Sequence, residues 1–322
     1  MKQFGLIIAA TLVCMGSATA QAQAQTQGYP SKPIRIISTG GADIVPRLLG
    51  QKLTANLGQQ VINEERTGAA TTIGSEFVAK SAPDGYTLLT AVASMMIAPN
   101  FYKINYDTAR DFAPITLAVT SPWVFAIHPS LPAKNLAEFV RFAKAHPGQI
   151  NFSASTPGAA SHLTMELFKQ TAGINVVHVS YKTLAAAITD TVGGQVQMAV
   201  SIAPTVMPHI KTGRLRGLVV STIKRSAAAP ELPTIAESGY PGFDSPGWYG
   251  FMAPAKTPPA IITTLNREFV AALRLQDVRD RLIGSGLDPV GDTPQEFSAF
   301  ATNELEKWAR VVKQANIKIN AN

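Results

Sequence analysis

Ser161 and His162 are the pair in this chain that most invites a reading as nucleophile and base. As neighbours on a helix, though, they point about 100° apart, and no GxSxG turn surrounds the serine. A hydrolase would need Ser161, or another serine, paired with a distant histidine. The five histidines, His128, His146, His162, His178 and His209, show neither HxxxH nor HxH spacing, so no metal site is expected. Cys14 is the sole cysteine, and it lies in a leader-like segment. A thiol nucleophile, a disulfide framework and thiolate metal ligation are therefore excluded from the mature chain.

The chemistry that remains belongs to the main chain. Asn151–Gly173 reads as a short strand from Ile150 to Ser153, a small-residue loop, then an amphipathic helix with Leu163, Leu167 and Phe168 on one face and Gly173 at its stop. Ser155, Thr156, Gly158, Ala159, Ala160 and Ser161 have small side chains that leave the backbone open to a ligand. The first N–H groups of a helix have no internal partner, and the macrodipole places roughly half a positive charge there. An anion can be held on such a loop without any basic side chain. The same residues also fit an ordinary connection in which Thr156 caps the helix and Pro157 opens it.

Other segments repeat this design. Ile34–Ile37 is a strand, followed by Thr39, Gly40, Gly41 and Asp43 and a helical pattern through Leu57; the single glycine pair falls short of a dinucleotide fingerprint. Asp43 would favour its helix start and partly oppose an anion, which leaves contact to the neighbouring N–H groups. Tyr86–Ala91 is an apolar strand with Ser94 beyond its carboxyl end, and Met198–Ile202 is a buried strand. Further strands are expected at Val61–Asn63, Ile115–Val119, Trp123–Ile127, Val176–Val179 and Leu215–Ser221. Helices are expected at Ile73–Lys80, Leu136–Ala145, Leu184–Val192, Thr205–Lys211, from Pro258 to Leu273, Asp277–Ser285 and Thr293–Ala315. Pro230–Phe251 reads as loop-rich and carries the aromatic group Trp248, Tyr249 and Phe251; Trp123, Trp248 and Tyr249 are suited to walling a pocket, and equally to core or hinge packing. The alternation predicts an α/β fold with mostly parallel sheets and ligands at the carboxyl ends of strands.

The totals narrow the class. Lys2, the apolar run Phe4–Met15 and Ala18-Thr19-Ala20 form a cleavable export signal, assigned to residues 1–25; the run is too short to span a bilayer as an anchor. Val13 before Cys14 argues against a lipoprotein. The 322 residues contain 28 Lys and Arg against 21 Asp and Glu, a net charge of +7, and loss of Lys2 lowers it by one. These charges are scattered without a basic stripe, which argues against nucleic acid and only weakly favours anionic solutes.

Several ordered segments together resemble the Bug family, the periplasmic solute receptors of tripartite tricarboxylate transporters. They are Tyr29-Pro30-Ser31-Lys32-Pro33-Ile34, Gly40-Gly41-Ala42-Asp43, Ala82-Pro83-Asp84-Gly85-Tyr86, Asp111-Phe112-Ala113-Pro114, Ser161-His162-Leu163, Val179-Ser180-Tyr181-Lys182, Gly193-Gly194-Gln195-Val196, Pro208-His209-Ile210-Lys211, Leu232-Pro233-Thr234 and Trp248-Tyr249-Gly250. The resemblance implies a two-lobed, type II Venus-flytrap fold, with lobe one at 26–120 and 223–322 and lobe two at 121–222. It implies a monomer without cofactor or enzyme activity that delivers an organic carboxylate to membrane partners, or presents it to a membrane sensor. The ligand would be held by Thr39–Asp43 and Ser155–His162, with Ser94, Tyr181, Ser201, Ala203 and Trp248 around it. Four departures stand out: Ser38-Thr39 runs directly into Gly40 without the family's Pro-Phe-Ala-Pro insert, Arg66-Thr67-Gly68-Ala69-Ala70-Thr71 replaces its Arg-Pro-Gly-Ala-Gly-Gly turn, and Tyr181-Lys182-Thr183 and Val200-Ser201-Ile202-Ala203 stand where the family has Tyr-Lys-Gly and Phe-Asp-Asn. A wider cleft is expected from these smaller walls.

Overall fold

The computed structural model describes residues 28–40, 44–68 and 71–317. The expected export signal and the expected site residues Gly41 and Asp43 lie outside them. Two sheets organise the rest. In the first, β1 (Ile34–Ser38) is flanked by β2 (Val61–Glu65) and β3 (Thr87–Val92), both parallel to it. Its far side is antiparallel: β10 (Gly247–Pro254) pairs with β3 and with β4 (Phe112–Ser121), and β11 (Asp288–Pro289) pairs with β4. In the second sheet, β6 (Asn151–Ala154) runs parallel to β7 (Val177–Ser180) and to β8 (Met198–Ile202). There β5 (Trp123–Ile127) lies antiparallel between β8 and β9 (Arg216–Val220). Mostly parallel pairing thus holds on one side of each sheet only. The β–helix–β units supply that side, and long returning strands supply the other.

Helices α1 (Ile44–Leu57), α2 (Thr72–Ala79), α3 (Ala93–Ile97), α4 (Leu136–Ala145), α5 (Ala160–Ala172), α6 (Leu184–Val192) and α7 (Ala203–Lys211) follow strands, and α8 (Pro259–Arg274), α9 (Gln276–Gly284) and α10 (Pro294–Ala315) close the chain. Helix α7 starts two residues earlier than expected, because Pro204 fits a first turn, where no N–H is needed. The chain passes from the first sheet to the second between Ser121 and Trp123.

The largest correction is β10, expected as loop and found in the middle of the first sheet. Its prolines lie outside the strand or at its end, and Gly250 has a packing role. A Cβ there would stand 2.2 Å from the Phe297 ring of α10, so the small residue lets the last helix approach the sheet. Helix α5 also differs from its one-faced reading. Ala160, Leu163 and Leu167 face the core cluster of the first lobe, while Met165, Phe168 and Ala172 fill that of the second. The two stripes lie on different sides of the helix, and Leu167 between them packs against both clusters. Gly173 ends α5 at φ +61° as expected of a left-handed cap.

Candidate functional site

A cleft of about 420 Å³ opens between the lobes. Its walls come from the carboxyl ends of β1, β3, β6 and β8 and from the start of β10, the position that open α/β sheets reserve for ligands. A larger groove of about 920 Å³ lies outside the first sheet along β2, but Lys32, Arg35, Arg66 and Lys80 there are each paired with a carboxylate. The interlobe cleft is the better candidate on topology.

The structure brings Thr39, Gly40, Ser94, Ser155, Ala159, Ala160, Ser161 and Trp248 to this cleft, all singled out from the sequence. Ser94 lies beyond the carboxyl end of β3 as expected, in the first turn of α3. Thr67, Gly68 and Thr71 after β2, Trp123 and Ile202 also line it; Trp123 is among the aromatics expected to wall a pocket, and the others fall in segments expected only as altered cleft walls. The signal for Thr67–Thr71 was available, since that turn follows a strand just as Thr39–Gly40 does.

The remaining expected residues lie elsewhere. Thr156 is exposed and does not cap α5; Ala159 takes that position in extended conformation without a side-chain bond. Gly158 has φ +82°, its N–H donates to His162 Nδ1 at 3.1 Å, and a Cβ there would meet the Phe101 ring at 3.1 Å. Tyr181 donates its hydroxyl to Asp190 at 2.7 Å, away from the cleft walls. Ser201 and Ala203 are buried beside Ile202, which alone of the three lines the cleft. Trp248 does reach the cleft, but its indole N–H is spent on Glu304 at 3.0 Å and its ring meets Phe297 and Phe300 edge-on. Little of its face is left for stacking on a ligand.

Three side chains hold the small-residue loop from below. The Ser155 N–H donates to Ser161 Oγ at 3.1 Å, His178 Nε2 donates to the Ser155 carbonyl at 3.0 Å, and Gly158 uses His162. An accepting Nδ1 places the His162 proton on Nε2, which faces Glu166 at 3.5 Å. Ser161 and His162 are thus both engaged in shaping the loop and do not face each other as nucleophile and base. With the loop fixed, the N–H groups of Ala160 and Ser161 at the start of α5 have no acceptor within the helix. No Lys, Arg, His, Asp or Glu is among the described residues lining the cleft. Neutral donors on a helix start are what it offers an anion.

His178 is stacked on His162 with ring centroids 4.0 Å apart. Burial first, and the His162 charge second, push its pKa down to about 4, against opposing help from the Ser155 carbonyl and Glu166, while Lys169 adds to the depression. A histidine with a folded pKa below its unfolded value takes up its proton more readily when unfolded, so stability falls as the pH drops from about 6.5 towards 4. The expected loss is roughly 1–3 kcal/mol. Asp292 has the opposite sign over part of that range, since burial raises it to about 6. The check is therefore the difference between wild type and His178→Phe in urea unfolding at pH 7 and pH 4.5. Parallel pH dependence in the two proteins would refute the assignment.

A model of the family described as "Tripartite tricarboxylate transporter family receptor" matches residues 45–317. The chain belongs to this receptor family. The receptor is 33% identical over 320 residues to protein BugT of Bordetella pertussis, covering 97% of this chain and 98% of that one. Among solved structures, it is similar to Rpa4515 of R. palustris with adipate, at 29% identity and a TM-score of 0.73, covering 90% of this chain and 99% of that one. It is also similar to MatC of Rhodopseudomonas palustris with bound malate, at 28% identity and a TM-score of 0.69, covering 88% and 100%. The two-lobed periplasmic-binding-protein fold follows from these likenesses. Among the described residues, no helix is long and apolar enough to cross a membrane.

Proposed function

We propose that the receptor, exported by residues 1–25 and acting in the periplasm as a monomer, captures an organic carboxylate between its lobes and delivers it to the membrane components of a tripartite tricarboxylate transporter. Lobe one takes residues 26–120 and 223–322, lobe two 121–222, a division supported by sheet membership. The observation that carries the reading is the start of α5, whose Ala160 and Ser161 lie on a cleft with no charged side chain among its described lining residues. Adipate and malate in the relatives' structures support the ligand class.

The cleft favours a ligand larger than succinate. Among the described residues its first-loop wall is Thr39 and Gly40, and a small diacid leaves space that stays filled with water while the lobes close on few contacts. Apolar carbon in that space gains roughly 25 cal/mol per Å² buried. Calorimetric titration is expected to rank phthalate and adipate above succinate by tenfold or more. Tightest binding by succinate would refute the wide-cleft argument, and absence of binding by every acid would refute the carboxylate reading.

A further inference from the structure

We infer that Thr71 and Trp123 form a second polar subsite in the cleft, which selects acids bearing a second carboxylate. The inference rests on the carboxylate reading and adds to it where the other end of the ligand goes.

The starting point is which buried polar groups on the cleft wall lack partners. Thr39 donates to the Thr90 carbonyl, Ser121 to the Gly286 carbonyl, Ser161 accepts from Ser155, and Trp248 donates to Glu304. Two lining residues differ. Thr71 Oγ1 and Trp123 Nε1 are buried and have no hydrogen-bond partner among the described residues. Leaving such a group unpaired costs about 1–3 kcal/mol. An indole N–H only donates and a threonine hydroxyl can donate, so each can take an acceptor oxygen.

Thr71 carries a further cost. It sits at φ +81°, left-handed backbone that a β-branched residue adopts only under strain, at the N-cap of α2 without forming a side-chain cap bond. Its hydroxyl therefore caps neither the turn nor the helix. A strained residue with an idle hydroxyl on a cleft wall is accounted for by a ligand that uses the hydroxyl. Thr71 stands on the loop after β2, Trp123 at the crossover between sheets, and the α5 start on the second lobe. A ligand with one carboxylate on α5 meets these two donors with its other end.

The test uses pairs of acids that differ by one carboxylate, adipate against hexanoate and phthalate against benzoate. Wild type is expected to bind the diacid of each pair at least tenfold more tightly. Thr71→Val and Trp123→Phe should each reduce that ratio by fivefold or more while leaving monoacid affinity within twofold. Thr71→Gly should lose the same selectivity and raise the melting temperature of the ligand-free protein, because glycine relieves the left-handed strain. Unchanged ratios in both variants, with diacid binding intact, would show that the two groups are served by water alone and overturn the inference while sparing the carboxylate reading. Failure of wild type to bind any of the four acids would overturn both.

Discussion

An aspartate in place of Ala160 is expected to weaken carboxylate binding more than a hundredfold while the ligand-free protein stays folded. Ala160 is the first residue of α5 and lines the cleft. A carboxylate there faces the ligand's own across a few ångströms, and two like charges about 4 Å apart repel by about 4 kcal/mol at an effective dielectric of 20. That exceeds the 2.7 kcal/mol or so that separates a hundredfold change in affinity. The helix itself gains from the substitution, since an acid in the first turn is favourable by about 0.3–1 kcal/mol and α5 has none. Ala160→Asn provides the neutral control and should bind within tenfold of wild type. Calorimetry with adipate and a thermal melt of the apo protein decide the matter. An Asp variant that binds within threefold of wild type would remove the α5 start from the site.

How much of this was legible in the sequence depends on the range of the interaction. The β6–loop–α5 unit could be read because strand, small residues, helix stripe and terminal glycine are all local signals, and the first-lobe loop at Thr39 was legible for the same reason. The cap was misplaced. Thr156 and Pro157 have the composition of a helix start, but the Ala159 N–H bonds back to the Thr156 carbonyl and the helix begins later. Strand β10 was hidden by its glycines and flanking prolines, and the reason for Gly250 is a ring some fifty positions downstream. The role of His162 was equally out of reach, since it required the position of Gly158 and the stacking of His178 from another strand. What carried no local signal was the left-handed backbone of Thr71, which a β-branched residue does not announce.

Glu304→Leu is expected to destabilise the receptor by about 3–5 kcal/mol. The Glu304 carboxylate is 2% exposed, and its Oε2 accepts the indole N–H groups of both Trp248 and Trp308 at 3.0 Å. Its other oxygen is paired with Lys307. Removing the carboxylate leaves two buried indoles without acceptors and leaves Lys307 only the Asp244 carbonyl, at 3.2 Å. The group also ties α10 to β10, so its loss loosens the strand that carries Trp248 into the cleft. Glu304→Gln keeps an acceptor oxygen and should cost less. Urea unfolding measures both, and a loss below 1 kcal/mol for the leucine variant would show that the carboxylate is not the clamp it resembles.

The two-faced packing of α5 bears on how the receptor comes apart. Lobes with independent cores are free to melt in separate steps, each with its own midpoint. Here Leu163, fully buried, belongs to the first lobe's cluster while Phe168, one turn further on, belongs to the second's. Thr164 and Ser245 add a hydroxyl bond of 2.7 Å, and Gln170 reaches the Val311 carbonyl of α10 at 3.2 Å. Neither core can dissolve without uncovering one side of this helix, so loss of either exposes apolar surface belonging to the other. The chain therefore behaves as one cooperative unit across two sheets, and a fragment holding only the second sheet would present the bare stripe Ala160, Leu163 and Leu167 to water.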